Sequence, residues 1–150
     1  TRHKYQSFHK FLSSFKSIQP LSNFDIIDRC KQLEIMNFRG VFMRDKLIGK
    51  ASKNECIILN IDHSSNNGTH WISLFIKDDT CYYFDLYGLK TPLEVIHYLS
   101  NYSNRWYSSF KIQTFNEVIC GHYCIYVLYK LGLGYTFSRI LDELYRLTII

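Results

Sequence analysis

The sequence predicts an α+β fold with a mixed, largely antiparallel central sheet and flanking helices. Runs rich in β-branched and aromatic residues cluster mid-chain, at 56–61, Trp71–Ile76 and Thr80–Asp85. Stripes of apolar residues at helical spacing come before and after them. No internal repeat or low-complexity linker divides the 150 residues, and a composition 47% hydrophobic and 17% aromatic suffices for one core.

The elements follow in chain order. Tyr5, Phe8, Phe11 and Phe15 recur every 3 or 4 residues, the spacing of an amphipathic helix, and Pro20 closes that segment. Residues 1–20 are therefore read as a basic N-terminal extension, and 21–150 as the domain proper. Ser22 or Asn23 caps a second helix with the stripe Ile26, Ile27, Cys30 and Leu33, ended by Asn37-Phe38-Arg39-Gly40. After the 56–61 run, Ser64-Ser65-Asn66-Asn67-Gly68 is a loop. Trp71–Ile76 and Thr80–Asp85 form a hairpin around Lys77-Asp78-Asp79. Pro92–Ser100 reads as a helix and Phe110–Gln113 as a short strand. Cys120–Leu131 is apolar at nearly every position, a buried helix stopped by Gly132 and Gly134. Thr136–Leu147 is the last helix, with Ile140, Leu141, Leu144 and Leu147 on one stripe.

Composition narrows the function. The longest apolar runs are too short to span a bilayer and no signal peptide opens the chain, so the expectation is a soluble, intracellular monomer with no membrane partner. Five scattered cysteines, an odd number, argue for reduced thiols rather than a disulfide framework. The net charge of +5 is uneven: residues 1–24 carry Arg2, Lys4, Lys10 and Lys16 without an acid, residues 25–55 add +2, and the rest is −1. A basic N-terminal region can lie along DNA or another polyanion, or be only a solvated face.

The chemistry lies in the order His70, Asp85, Gln113, Cys120. A thiol attacks a carbonyl as its thiolate, and a cysteine in the first turn of a helix gains from the helix dipole and from free N–H groups. Cys120 stands at such a start, with Gly121 leaving room for a substrate backbone. His70, at the beginning of one hairpin strand, is the candidate base, and Asp85, ending the partner strand, is placed to hold its other nitrogen. Gln113, seven residues before Cys120, can donate to an oxyanion; losing one such donor costs about 100- to 1,000-fold in turnover. Cys124, one helical turn on, reads as a core residue, as do Cys30, Cys56 and Cys81. His63 and His122 compete with His70 for the base, but His122 turns away from Cys120. Zinc on Cys120, His122 and Cys124 is disfavoured because position i+2 faces another side of a helix.

Gly68-Thr69-His70-Trp71, Phe84-Asp85-Leu86-Tyr87-Gly88, and Gln113 followed by Cys120-Gly121 together resemble the adenovirus endopeptidase (adenain) family, in the clan of the ubiquitin-like-protein proteases. Asn37–Asp45 is also similar, so the resemblance spans roughly residues 21–131. It implies a papain-like arrangement with Cys120 as nucleophile, His70 as base, Asp85 orienting it, Gln113 in the oxyanion hole and Trp71 walling the site. The clan's deSUMOylating members place glutamine six residues before cysteine and an aspartate directly ahead of it. Here the gap is seven and Ile119 precedes Cys120, which favours the viral branch.

The resemblance further implies a thiol endopeptidase that cleaves viral precursor proteins at small-residue, glycine-containing sites during particle maturation, in the host nucleus or the virion. Some members use DNA and a peptide activator. Tyr102 stands where the adenoviral enzyme has the cysteine that ties its peptide down, so no cofactor is expected in that form, and neither is a metal. Leu86 replaces a proline after the acid, and the C-terminal helix is shorter, as in a reduced relative from a small DNA virus or virus-like mobile element. A deubiquitinating or deSUMOylating enzyme shares the chemistry and differs in substrate. A non-catalytic module binding peptide or nucleic acid is the alternative from another class.

Overall fold

The computed structural model describes residues 5, 7–47, 49–61, 70–108, 112 and 119–147. Helix α1 (Phe8–Ser13) and helix α2 (Asn23–Gln32) precede strand β1 (Phe38–Met43) and a short 3-10 turn. Strands β2 (Glu55–Asn60), β3 (Trp71–Lys77) and β4 (Thr80–Asp85) follow, then α3 (Leu93–Tyr98), β5 (Asn104–Tyr107), α4 (Cys120–Gly132) and α5 (Phe137–Leu147).

The strands form a mixed sheet in the order β1-β2-β3-β4-β5. Its middle, β2-β3-β4, is antiparallel, and each edge strand is added in parallel. The β3–β4 hairpin turns at Asp78 and Asp79, with Asp78 at φ 56°. Side chains alternate between two buried faces. Ile57, Leu59, Ile72, Leu74, Ile76 and Tyr83 pack under α3, through Val95 and Tyr98. Cys56, Ile58, Trp71 and Phe84 face the other layer, where α4 crosses β3. Burial on both faces explains why β2 and β3 read as near-continuous apolar runs.

Ser22 does cap α2: its Oγ accepts from the Asp25 N–H at 3.1 Å, and Asp25 Oδ2 accepts from the Ser22 N–H at 3.0 Å. This reciprocal pair is the capping box. The helix stops at Gln32, and Phe38-Arg39-Gly40, expected as its terminus, is instead the start of β1. Ile112 is not in a strand; its N–H donates to the Leu86 carbonyl at 2.8 Å. The rest of the expected 110–113 strand lies outside the described residues.

Helix α1 is docked, not loose. Phe8 and Phe11 are buried, and Phe8 stacks on Tyr123 of α4 at 4.2 Å. Its N–H donates to Glu143 of α5, whose carboxylate also accepts from Tyr126. Arg29 of α2 donates to Ser14 at 2.8 Å and lies 3.9 Å over the Phe15 ring. Among the described residues no helix is long and apolar enough to cross a membrane.

Candidate active site

Three chain segments meet at one end of the sheet. The residue before β3, His70, is held by its backbone, since the Ile61 N–H donates to its carbonyl at 3.0 Å and extends the β2–β3 ladder by one step. Asp85 closes β4, paired with Ile72. Cys120 opens α4, whose N-cap, Ile119, makes no side-chain capping bond. The first-turn N–H groups of α4 are thus left uncapped by that residue, and the positive end of the helix faces the sulfur.

The geometry is that of a hydrogen-bonded relay. His70 Nε2 lies 2.8 Å from Asp85 Oδ1, and His70 Nδ1 lies 3.7 Å from Cys120 Sγ. With Nε2 protonated toward the carboxylate, Nδ1 is free to accept the thiol proton. The thiol also donates to the Trp71 carbonyl at 3.1 Å, a contact available only while sulfur keeps its proton.

Asp85 is wholly buried and held from several sides. Its Oδ1 also accepts from the Tyr87 N–H at 2.9 Å, and Oδ2 accepts from the Leu89 N–H at 3.1 Å. The chain can wrap the carboxylate this way because Gly88 adopts φ 61°, a left-handed conformation that glycine takes at little cost. On its other side the Asp85 N–H donates to Ser108 Oγ at 2.7 Å, and that hydroxyl donates back to the Asp85 carbonyl at 3.0 Å. The β4–β5 ladder ends at Tyr83↔Tyr107, so a side chain replaces main chain where the sheet stops.

Electrostatics separate this sulfur from the others. The neighbouring Cys124 thiol lowers Cys120; burial opposes this, and the hydrogen bond and charge of His70 add to the lowering, bringing it to about 6. Burial works against a charged His70, but the hydrogen bonds to Asp85 and Cys120 outweigh it and raise the imidazole to about 9. The order of the two favours thiolate and imidazolium at neutral pH, in a site where His70 is 13% and Cys120 2% exposed. Cys124 moves the other way, well above the ordinary thiol value, mainly through burial. Burial likewise pushes Cys56 up to about 12 and Cys81 up to about 11.

The structure thus brings together three of the residues singled out in the sequence: Cys120, His70 and Asp85. Gln113 lies outside the described residues, as do His63 and the Gly68-Thr69 that precede His70. Trp71 adjoins the site through its carbonyl, and its indole is buried. The space beside Gly121 is taken by the protein itself, because a Cβ there would sit 3.3 Å from Trp71 Cδ1 and 3.5 Å from Ile26 and Leu21. That glycine serves the packing of α2 and Trp71 against α4 rather than clearance for a substrate. His122 is buried against Phe15, with ring centroids 4.6 Å apart. Tyr87 and Ser108 are not among the expected site residues; Tyr87 belongs to the Phe84-Asp85-Leu86-Tyr87-Gly88 motif, while Ser108 carries no local signal.

No protein-family model and no curated protein sequence matches the chain. Among the solved structures that share its fold are two of the ASFV pS273R protease. They superpose with TM-scores of 0.56 and, for the selenomethionine form, 0.54, covering 88% of this chain and 67% of that one. The fold is shared with a protease. At 16% and 15% identity the likeness is one of fold.

Proposed function

We propose that the chain is a cysteine endopeptidase in which Cys120 is the nucleophile, His70 the base, Asp85 its orienting acid and Gln113 an oxyanion donor. The single observation that carries this is the relay from Sγ to Nδ1 at 3.7 Å and from Nε2 to Oδ1 at 2.8 Å. The shared fold with the ASFV protease supports it from a different direction.

The chemistry runs in two halves. The Cys120 thiolate attacks the scissile carbonyl carbon, and the negative oxygen is met by the Cys120 N–H at the α4 terminus and the Gln113 amide. His70 then gives its Nδ1 proton to the leaving amine as the C–N bond breaks, leaving a thioester on Cys120. A water, deprotonated by His70, attacks the thioester; the acid leaves and the thiolate and imidazolium are restored. Asp85 keeps the ring oriented throughout and takes no proton.

The substrate is proposed to be a viral precursor polypeptide cut at small-residue, glycine-containing sites during particle maturation, in an adenain-like role in the host nucleus or virion. DNA is the polyanion proposed to lie along the basic N-terminal region, where Lys10 and Lys16 are exposed. Incubating the protein with peptides containing Gly-Gly and small flanking residues tests the reading. Cleavage by the wild type and none by Cys120→Ala is expected. No cleavage of any such peptide, together with failure to react with ubiquitin and SUMO vinyl sulfones, would overturn the endopeptidase reading; reaction with those probes alone would move the substrate to a ubiquitin-like tail.

A further inference from the structure

The sulfur of Cys120 rests in a place that suits it only while it is protonated. Its S–H donates to the Trp71 carbonyl at 3.1 Å, so a thiolate there would face the negative end of a carbonyl dipole. With Cys120 2% exposed, little water can offset this. His70 Nδ1 supplies one donor, at 3.7 Å. Helix α4 can supply a second, because Cys120 and Cys124 stand at positions i and i+4 of it. Residues at that spacing share one helix face, with Cβ atoms roughly 5–6 Å apart. Side chains on a helix lean back toward its N-terminus, which brings the Cys124 sulfur over the turn that Cys120 opens.

We infer that Cys124 is a positioning residue for the nucleophile: its S–H donates to Cys120 Sγ and steadies the thiolate against the Trp71 carbonyl. Such a donor must keep its own proton after Cys120 has lost one. Burial secures that, since Cys124 is fully buried, and burial, with the bond to Cys120 and its charge, holds the Cys124 thiol well above the ordinary value. The same thiol is the largest influence lowering Cys120. From the sheet, the titratable groups that act on the two sulfurs are His70 and Asp85. On the α2 side the neighbouring Gly121 meets Ile26 and Leu21, both apolar. A thiol is a weak donor, but a bond to an ionised acceptor is about twice as strong as a neutral one. The role in turnover rests on the endopeptidase reading; the effect on the Cys120 thiolate does not.

The test uses the full chain and needs no peptidase substrate: the pH profile of iodoacetamide labelling at Cys120, read by mass spectrometry, beside urea unfolding of the same variants. Cys124→Ala removes the donor, and the labelling midpoint should rise from about 6 by roughly one pH unit, a tenfold shift from thiolate to thiol. Cys124→Ser keeps a donor at the same place and should stay close to the wild type. Cys124→Val, also without a donor, makes the same comparison should Cys124→Ala not fold. A residue that only filled the core would lower stability in urea and leave the midpoint where it was. A wild-type midpoint in a folded Ala or Val variant would therefore overturn the inference, and so would an equal rise in Ser and Ala. A wild type that labels early at Cys120 yet cleaves no peptide would count against the endopeptidase reading alone.

Discussion

His70 Nε2 and Asp85 Oδ1 sit 2.8 Å apart although 15 residues separate them in the chain. The hairpin produces this closeness. Ile72 pairs with Asp85, so the residue entering β3 and the residue leaving β4 share one end of the ladder. Because both backbones are held by hydrogen bonds, through Ile61 and Ser108, the contact is set by the sheet rather than by two free side chains.

Replacing Asp85 by Asn should remove the acceptor that keeps the proton on Nε2. The amide can present N–H to that nitrogen, which moves the ring proton to Nδ1, where it can no longer accept from the thiol. The expected loss in kcat/KM for peptide cleavage is roughly 1,000-fold or more, with circular dichroism unchanged. A loss under tenfold would show that Asp85 does not orient the base.

Ser108→Ala should be felt at Asp85. It leaves the buried Asp85 N–H without its 2.7 Å partner and takes one of two donors from the carbonyl. Leaving such groups unmet costs about 1–3 kcal/mol. Urea denaturation should show that drop for Ala and for Val, with most of it recovered in Thr, which has Val's shape and keeps the hydroxyl. Equal stability of Thr and Val would contradict the role of the Oγ.

His122 predicts an acid limb in stability. Burial, and then the charge of Arg29, lower it to about 4, and neither ring nitrogen has a hydrogen-bond partner among the described residues. The unfolded chain therefore takes a proton near pH 6.5 that the folded chain refuses until about 4. Stability should be fully present above 6.5 and fall as pH drops toward 4, by about 3 kcal/mol. His122→Phe should remove most of that slope in urea titrations at pH 7 and pH 4.5; an unchanged slope would assign the limb elsewhere.

Phe11 tests whether the first helix carries stability. It is fully buried against Phe15 and Tyr126. Phe11→Ala should cost about 3–5 kcal/mol in denaturant unfolding. A cost below 1 kcal/mol would mean that α1 detaches without harm to the remaining core.

Three residues of the candidate site could be picked out in the sequence because they are chemically unusual where they stand. A histidine entering a strand, an acid leaving its hairpin partner and a cysteine opening an apolar helix each mark a sharp position in the pattern. The edge strands were not legible, for physical reasons. Strand β1 contains Arg39 and Gly40, and Gly40 at φ 145° breaks the alternation that announces a strand. Strand β5 is four residues of mixed polarity, largely exposed, and pairs on one side. The aromatic spacing in residues 5–15 foretold a helix but not its contact with Tyr123 and Tyr126. Ser108 acts by bonding backbone across 23 residues, a relation no local pattern records.

Iodoacetamide labelling of the five cysteines across pH, read residue by residue by mass spectrometry, tests most directly whether Cys120 is a nucleophile activated by His70. Labelling of Cys120 should outpace that of Cys124 and of the buried Cys30, Cys56 and Cys81 at neutral pH, with its rate rising through about pH 6. A Cys120 that labels no faster than Cys124 at neutral pH, or whose rate rises only near the ordinary thiol value of about 8.5, would contradict it.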